Sequence, residues 1–202
     1  KGQRGKAWIT APGENIMMSA VLAIKNLSLH DQFPLSAGIS LGCFDLLNTY
    51  LPGKIFIKWP NDLYIGDRKA GGILIENIIS GEDWKYAIAG TGININQVKF
   101  DEHLPNPTSL KTETGKHFDA VALAKQLCIL IEKRFNDLCN ENSDRIVEEY
   151  NNHLYKKNTA ARLKKGNIIF ETIIQGVSKT GRLMTKDVME RNFDFGEIEW
   201  QL

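Results

Sequence analysis

The chain has 202 residues, with 25 Lys or Arg against 24 Asp or Glu and a formal charge of +1 at pH 7. Hydrophobic residues at 43% and charged residues at 24% follow ordinary globular usage, which argues against a disordered chain. The even charge balance lacks the footprint of a dedicated nucleic-acid binder. Cys43, Cys128 and Cys139 form no CxxC pair, and His30, His103, His117 and His153 are scattered. Neither a disulfide framework nor a zinc site is therefore expected, and the cysteine usage suits a reducing cytoplasm. No apolar run is long enough to span a bilayer, and no signal-peptide pattern is present. The chain opens on Lys1-Gly2-Gln3-Arg4-Gly5 with no initiating Met, so further residues are expected upstream.

Residues 1–13 hold three glycines and a proline and read as a loop. The apolar run 15–25 lacks helical spacing and predicts a buried strand. Pro34 to Leu51 predicts an amphipathic helix carrying Leu35, Ile39, Leu41, Phe44, Leu46 and Leu47, closed by Pro52-Gly53. A short strand follows at 54–59, then a Pro60-Asn61-Asp62 turn and a hairpin of 63–66 with 72–79. Residues 84–97 predict a strand whose end is loosened by Gly90 and Gly92, and Val98 to Thr108, with two prolines, a loop. Asp119 can cap a helix running to about Cys139, and a second helix is expected over 143–156. Beyond Asn158 the pattern turns to short strands at 159–164, 167–175, 182–188 and 196–201, which suggests a small barrel. The predicted fold is α+β: a mixed sheet with packed helices over 1–157, then an all-β domain over 158–202.

Several residues carry candidate chemistry. Lys69, followed by Gly71 and Gly72, offers a cation beside backbone that a ligand can approach closely. Its plain alternative is a solvated lysine in a hairpin turn. Lys58 can meet a phosphate or be the outward residue of an alternating strand. Asn61 and Asp62 are good turn residues in their own right. The Gly90-x-Gly92 pair either admits a ligand or marks a bulge, and it is not a dinucleotide fingerprint, since no third glycine and no helix follow. Asn94 supplies a two-sided amide. Trp8 follows a polar, glycine-bearing stretch and can fold over a planar group or anchor a loop. Arg4 and Lys6 are flexible cations of a lid or of a loose terminus.

Four segments together resemble the biotin protein ligases. They are Lys58-Trp59-Pro60-Asn61-Asp62-Leu63 with Asp67-Arg68-Lys69-Ala70-Gly71-Gly72-Ile73-Leu74-Ile75-Glu76; Gly90-Thr91-Gly92-Ile93-Asn94-Ile95-Asn96; the opening Lys1 to Trp8; and the tail Gly176 to Leu183 with Gly196-Glu197-Ile198. The resemblance implies a biotin/lipoate ligase-like catalytic domain followed by an SH3-like barrel. It implies two steps, adenylation of biotin by ATP with Mg²⁺, then transfer to a lysine of a biotin carboxyl carrier protein. Lys69 and Lys58 would be catalytic, and Lys1, Gly2, Gln3, Lys69, Gly71 and Gly72 would bind biotin. Arg4, Lys6, Trp8, Lys58, Asn61 and Asn94 would bind ATP, with Asn61 near the nucleotide and its metal. Asp62 is read as structural, the metal ligands are unassigned, and a homodimer is left open.

Two departures from the family pattern stand out. Gln3 replaces an arginine of the family's GRGRxGRxW loop, and Lys1 replaces another, which keeps charge but loses the planar fork. The segments that in the family precede this loop and touch biotin are absent. No Ser/His or Cys/His arrangement suggests a covalent enzyme nucleophile. The rival readings are lipoate protein ligase, a biotin-responsive transcriptional regulator, and an inactive scaffold, which would be expected to have lost Lys69 or Asn61.

Overall fold

The computed structural model describes residues 10–140 and 143–201. Its first sheet holds β1 (Asn15–Ala23), β2 (Ile55–Lys58), β3 (Asp62–Ile65), β4 (Arg68–Ser80) and β5 (Asp83–Asn94) in the order β1-β5-β4-β3-β2. Every ladder among the described residues runs antiparallel, where a mixed sheet was expected. The cause is connectivity, since β2 to β5 follow one another through short turns and a parallel neighbour needs a long crossover. Parallel pairing is confined to isolated bridges such as Ile57 with Leu154.

Three helices form the second layer: α1 (Gln32–Tyr50), α3 (Ala120–Asn140) and α4 (Ser143–Asn152). A 3₁₀ turn, Leu29–Asp31, leads into α1 and is closed by a reciprocal cap: Ser28 N donates to Asp31 at 2.9 Å and His30 N to Ser28 Oγ at 3.3 Å. Although α1 was expected to be amphipathic, it is buried around most of its circumference. Small residues make this feasible. A Cβ on Gly42 would stand 3.4 Å from the Ile131 backbone of α3, and one on Gly38 3.7 Å from the Arg134 carbonyl. Asp119 caps α3 as expected, accepting from Val121 N and Ala122 N at 2.9 and 3.0 Å. Leu123, Leu127, Ile131 and Leu138 are its buried face, while Val121 turns outward. Arg134 joins all three helices, with bidentate contacts of 2.8–3.0 Å to Asp45 and 2.8 Å to Glu149.

Several local expectations change. β1 is an edge strand rather than a buried one: Ile16 faces the core and Met17 and Val21 are exposed. An apolar run does not by itself tell a covered strand from an edge. Gly90 and Gly92 do not loosen β5, because both pair with neighbours on each side. A helical turn, α2 (Leu110–Thr114), was not foreseen. Ser109 caps it and left-handed Gly115 ends it. Helix α4 stops at Asn152, and residues 153–155 instead lie along β2, with Ile57 N donating to His153 O and Tyr155 N to Ile57 O, both at 2.9 Å.

The C-terminal strands are β6 (Ala160–Lys165), β7 (Ile168–Val177), β8 (Leu183–Lys186), β9 (Glu190–Phe193) and β10 (Glu199–Trp200), in the order β10-β6-β7-β8-β9. They form an antiparallel sheet whose described strands show no pairing between β9 and β10, so barrel closure is not part of it. β9 was not expected, and β10 is only two residues long. Gly166, Gly181 and Gly196 take positive φ at the expected turns. This sheet is tied to α4 and the segment after it: Asn158 N donates to Ile174 O at 2.7 Å, and Asn151 of α4 exchanges bonds of 2.7 and 2.8 Å with the Val177 backbone. Among the described residues, no helix is long and apolar enough to cross a membrane.

Candidate functional site

One row of residues crosses the whole first sheet. Met17 pairs with Gly92, Gly92 with Gly72, Gly72 with Asp62, and Asp62 with Lys58. Directly opposed residues project to the same face. The face opposite Ile16, Ile57, Leu63, Ile73 and Ile93, which sit in the core, thus has glycines without side chains at its centre, with Gly72 half-buried and Gly92 buried. Met17 bounds that floor on one side and Asp62 on the other, three strand spacings apart, about 14 Å. The next row, Ser19, Gly90 and Leu74, extends it with a third glycine. A flat apolar or heterocyclic group can lie against such a floor.

The cations stand at one end. Lys69 Nζ donates to Asp62 Oδ1 at 2.5 Å, and Lys58 Nζ lies 4.0 Å from Asp62 Oδ2. The three-residue turn Trp59 to Asn61, with a cis Trp59-Pro60 bond, places Lys58 opposite Asp62. A bulge between Leu63 and Tyr64 then sets Lys69 opposite Tyr64 on the same face. Lys69 is one-third exposed, so its ammonium is open to a ligand, whereas Lys58 is buried. Burial brings the Lys58 ammonium down to about 8 from 10.5, against the pull of Asp62 and with the push of Lys69. Two aromatic rings face that ammonium, Tyr64 at 5.3 Å and Trp200 at 5.2 Å.

The remaining expected residues divide. The Asn61 amide donates to the Ile73 carbonyl, and Ile73 N donates back to Asn61 O at 3.0 Å, so Asn61 fastens the turn to β4. Asn94 Nδ2 donates to Thr108 O at 2.9 Å and anchors the 98–108 loop at the sheet end. Asn96 does the same for the segment before α3, exchanging bonds of 2.7 and 3.0 Å with the Phe118 backbone. Gly71 faces the core: a Cβ there would stand 2.8 Å from the Gly92 carbonyl oxygen. Its glycine is required by strand packing, while Gly72, half-buried, belongs to the glycine row on the opposite face. Lys1, Gly2, Gln3, Arg4, Lys6 and Trp8 lie outside the described residues.

Three features escaped the sequence reading. Asp62 receives both lysines. The 98–108 loop docks beside Lys69, with Lys69 N donating to Asn106 O at 2.9 Å, Thr108 N to Lys69 O at 2.8 Å, and Arg68 to Pro107 O at 2.8 Å. Trp59 reaches the C-terminal sheet, donating from Nε1 to Gly181 O at 2.9 Å. Only the first had a local signal, since a hairpin closed by Trp59-Pro60-Asn61 must oppose Lys58 and Asp62. Two surface clefts, of about 420 and 360 Å³, lie elsewhere, one between α4 and β7 and one against β7 at Thr172 and Glu171. The glycine row is the stronger candidate because charge and bare backbone meet there.

Residues 1–94 match the Biotin/lipoate A/B protein ligase family, a span that contains Lys58, Asp62, Lys69, Gly72, Gly92 and Asn94. The match is a similarity over that stretch of the chain. The bifunctional ligase/repressor BirA of Escherichia coli is 30% identical over 128 residues, 63% of this chain and 40% of that protein. A biotin--[acetyl-CoA-carboxylase] ligase of Paracoccus denitrificans is 29% identical over 125 residues, 59% of this chain and 51% of that protein. The chain thus spans about half or less of the curated relatives it matches.

Solved structures extend the likeness beyond the family domain. The biotin protein ligase of Aquifex aeolicus in complex with biotin and ATP superposes with a TM-score of 0.81 at 22% identity, covering 100% of this chain and 84% of that one. The Leishmania major biotin protein ligase in complex with biotinyl-5-AMP gives 0.61 at 21% identity, with 96% and 83% covered. At such identities the likeness establishes the fold: helices and sheets arranged as in biotin protein ligases.

Proposed function

We propose that this chain adenylates biotin with ATP and transfers the biotinyl group to a lysine of a biotin carboxyl carrier protein. The observation that carries the reading is the pair of lysines on Asp62 beside the Gly72–Gly92 floor, within the matched family domain. In the first step a carboxylate oxygen of biotin forms a bond to the α-phosphorus of ATP, and the bond to pyrophosphate breaks. Negative charge gathers on phosphate and carboxylate oxygens, and preorganised cations stabilise it most effectively away from water. Lys69 supplies an accessible ammonium held by Asp62, and Lys58 adds a buried positive charge behind the same carboxylate. In the second step the carrier amine attacks the acyl carbon and AMP leaves.

Gly72 leaves room for the flat ring system, with Gly71 acting through strand packing. Asn61 and Asn94 shape the nucleotide end through the turn and loop they hold. Lys1, Gly2 and Gln3 are assigned to biotin, and Arg4, Lys6 and Trp8 to the nucleotide, on family resemblance. Mg²⁺ suits a polyphosphate substrate and would neutralise the leaving pyrophosphate. No cluster of three or more His, Cys, Asp or Glu gathers among the described residues, which fits a metal held chiefly by phosphate and water. We read 1–157 as the catalytic domain and 158–202 as an SH3-like domain, supported by the five-stranded antiparallel order of the tail. Free Cys43, Cys128 and Cys139 support a cytoplasmic setting.

ATP–pyrophosphate exchange with biotin or lipoate as the sole acid tests the reading. Biotin-dependent exchange that vanishes in Lys69→Ala supports it. Exchange with lipoate alone moves the substrate to the other branch of the family, and a folded protein inert with both acids overturns adenylation.

A further inference from the structure

Lys58 reaches across to the C-terminal sheet, a contact on which neither the glycine floor nor Lys69 depends. Its ammonium is 5.2 Å from the Trp200 ring, 5.3 Å from the Tyr64 ring and 4.0 Å from Asp62 Oδ2. Both rings are fixed from behind. Tyr155 stands 5.0 Å from Tyr64 and 6.0 Å from Trp200, and its hydroxyl donates to Asp67 Oδ1 at 2.6 Å. Backbone ties hold each side, with Tyr155 N on Ile57 O and Gln201 N on Arg162 O, both at 2.9 Å. Trp200 itself pairs with Leu163.

We propose that Trp200 and Tyr64 form an aromatic clamp that positions the Lys58 ammonium on Asp62, making Trp200 a positioning residue that the C-terminal sheet contributes to the adenylation site. The proposal rests on the function proposed above for its catalytic consequence and on the geometry alone for the clamp. A buried ammonium has lost most of its water, and aromatic faces replace part of that solvation through their quadrupoles. The ionisable groups around Lys58 are Asp62, Lys69, Tyr64 and Tyr155, with Asp67 beyond Tyr155. Burial pushes both phenols upward, so they face Lys58 as neutral rings at ordinary pH. Asp62 is then its one close negative partner among the described residues, and the rings determine where the ammonium sits.

Trp200→Leu keeps apolar bulk and removes the ring face. Trp200→Phe keeps a face and also deletes an indole Nε1 that is buried without a hydrogen-bond partner, so it should fold readily. The readout is the lysine Cε–H NMR spectrum of protein labelled at lysine ¹³Cε, with Lys58 assigned by its loss in Lys58→Arg. In the wild type the Lys58 signal should be ring-current shifted and titrate near 8. In Trp200→Leu the shift should collapse and the midpoint fall. The maximal rate of biotin-dependent exchange should drop about two- to tenfold with the KM for biotin little changed. Trp200→Phe should behave as the wild type in both respects.

An unshifted Lys58 signal titrating at the ordinary lysine value overturns the clamp, as does a Trp200→Leu protein whose Lys58 signal and midpoint match the wild type. A shifted, Trp200-dependent signal in a protein without biotin-dependent exchange upholds the clamp and overturns only the ligase reading.

Discussion

Lys69 Nζ and Asp62 Oδ1 lie 2.5 Å apart on the face of the first sheet opposite the core, a charge-assisted contact between β4 and β3. Asp62 stands directly opposite Gly72, so the carboxylate that aims Lys69 also borders the glycine floor. Removing the ammonium in Lys69→Ala should reduce biotin-dependent exchange by at least about 10²-fold. Asp62→Asn still accepts from Lys69 but without charge, and we expect an intermediate loss of about tenfold. Wild-type exchange in Asp62→Asn would show that Lys69 needs no such guide.

Lys58 makes stability depend on pH in a definite direction. Its folded value of about 8 lies below the ordinary 10.5, so between those values the unfolded chain binds more protons than the folded one. Its destabilising effect is complete below about 8 and is relieved as pH rises toward 10.5. Lys58→Met should therefore gain urea resistance over the wild type most at pH 7, and the two should converge near pH 10.5. Using the difference between the proteins removes the opposing effects of Cys43 and the buried tyrosines. A constant gap across this range contradicts the expectation.

Arg134 binds two carboxylates on two different helices, and no other side chain shown can replace its planar fork. Arg134→Leu leaves Asp45 and Glu149 facing each other across the space it filled. Because both acids are partly exposed, we expect a loss of about 2–3 kcal/mol, below the range for a fully buried pair. Urea unfolding monitored by circular dichroism measures it, and a change under about 0.5 kcal/mol, the scale of an ordinary surface substitution, would falsify the structural role of Arg134.

Gly71 and Gly72 are adjacent and should respond differently. Gly71→Ala puts a methyl 2.8 Å from the Gly92 carbonyl oxygen, and neither strand can yield without moving the floor. It should cost about 1–3 kcal/mol in stability. Gly72→Ala adds its methyl on the opposite face, in the row of Gly92 and Asp62, and should raise the KM for biotin with a smaller thermal loss than Gly71→Ala. Equal thermal losses in both variants would remove the distinction.

Asn94 holds Thr108 O from the end of β5. In Asn94→Ala the 98–108 loop loses that anchor, and hydrogen exchange of Thr108 and its neighbours should quicken while the α3 core stays protected. Unchanged protection at Thr108 would mean that the Lys69 backbone bonds suffice to hold the loop.

The helices α1, α3 and α4 and the hairpins of the first sheet were legible because local signals agree there. Asp119 before an apolar face and Gly66-Asp67 between alternating strands each point to one structure. α2 was missed because a single capped turn has too little periodicity to read. The end of α4 was misplaced for another reason. Residues 153–155 have helix-compatible side chains, but β2 has a free edge, and pairing with it satisfies more backbone groups.

For the site, residue chemistry pointed to Lys58, Lys69 and Gly72, and the spacing around Trp59-Pro60-Asn61 already contained the Lys58–Asp62 pairing. Asn61 and Asn94 were expected at the nucleotide and Gly71 at biotin, and their observed partners within the fold are the Ile73 carbonyl, the Thr108 carbonyl and the Gly92 backbone. A residue that holds a loop and one that holds a ligand look alike in sequence, since both need an amide or a missing Cβ.

By itself the sequence determined most of the element types and the cationic, glycine-bearing character of residues 58–72, because those depend on neighbours a few residues apart. Only the tertiary structure decided that Met17, Gly92, Gly72, Asp62 and Lys58 share one row, and that Trp200 closes over a lysine 142 positions earlier. Strand order and the seating of the C-terminal sheet depend on which exposed edges and apolar faces find each other. That is a property of the whole packed chain, and no local window contains it.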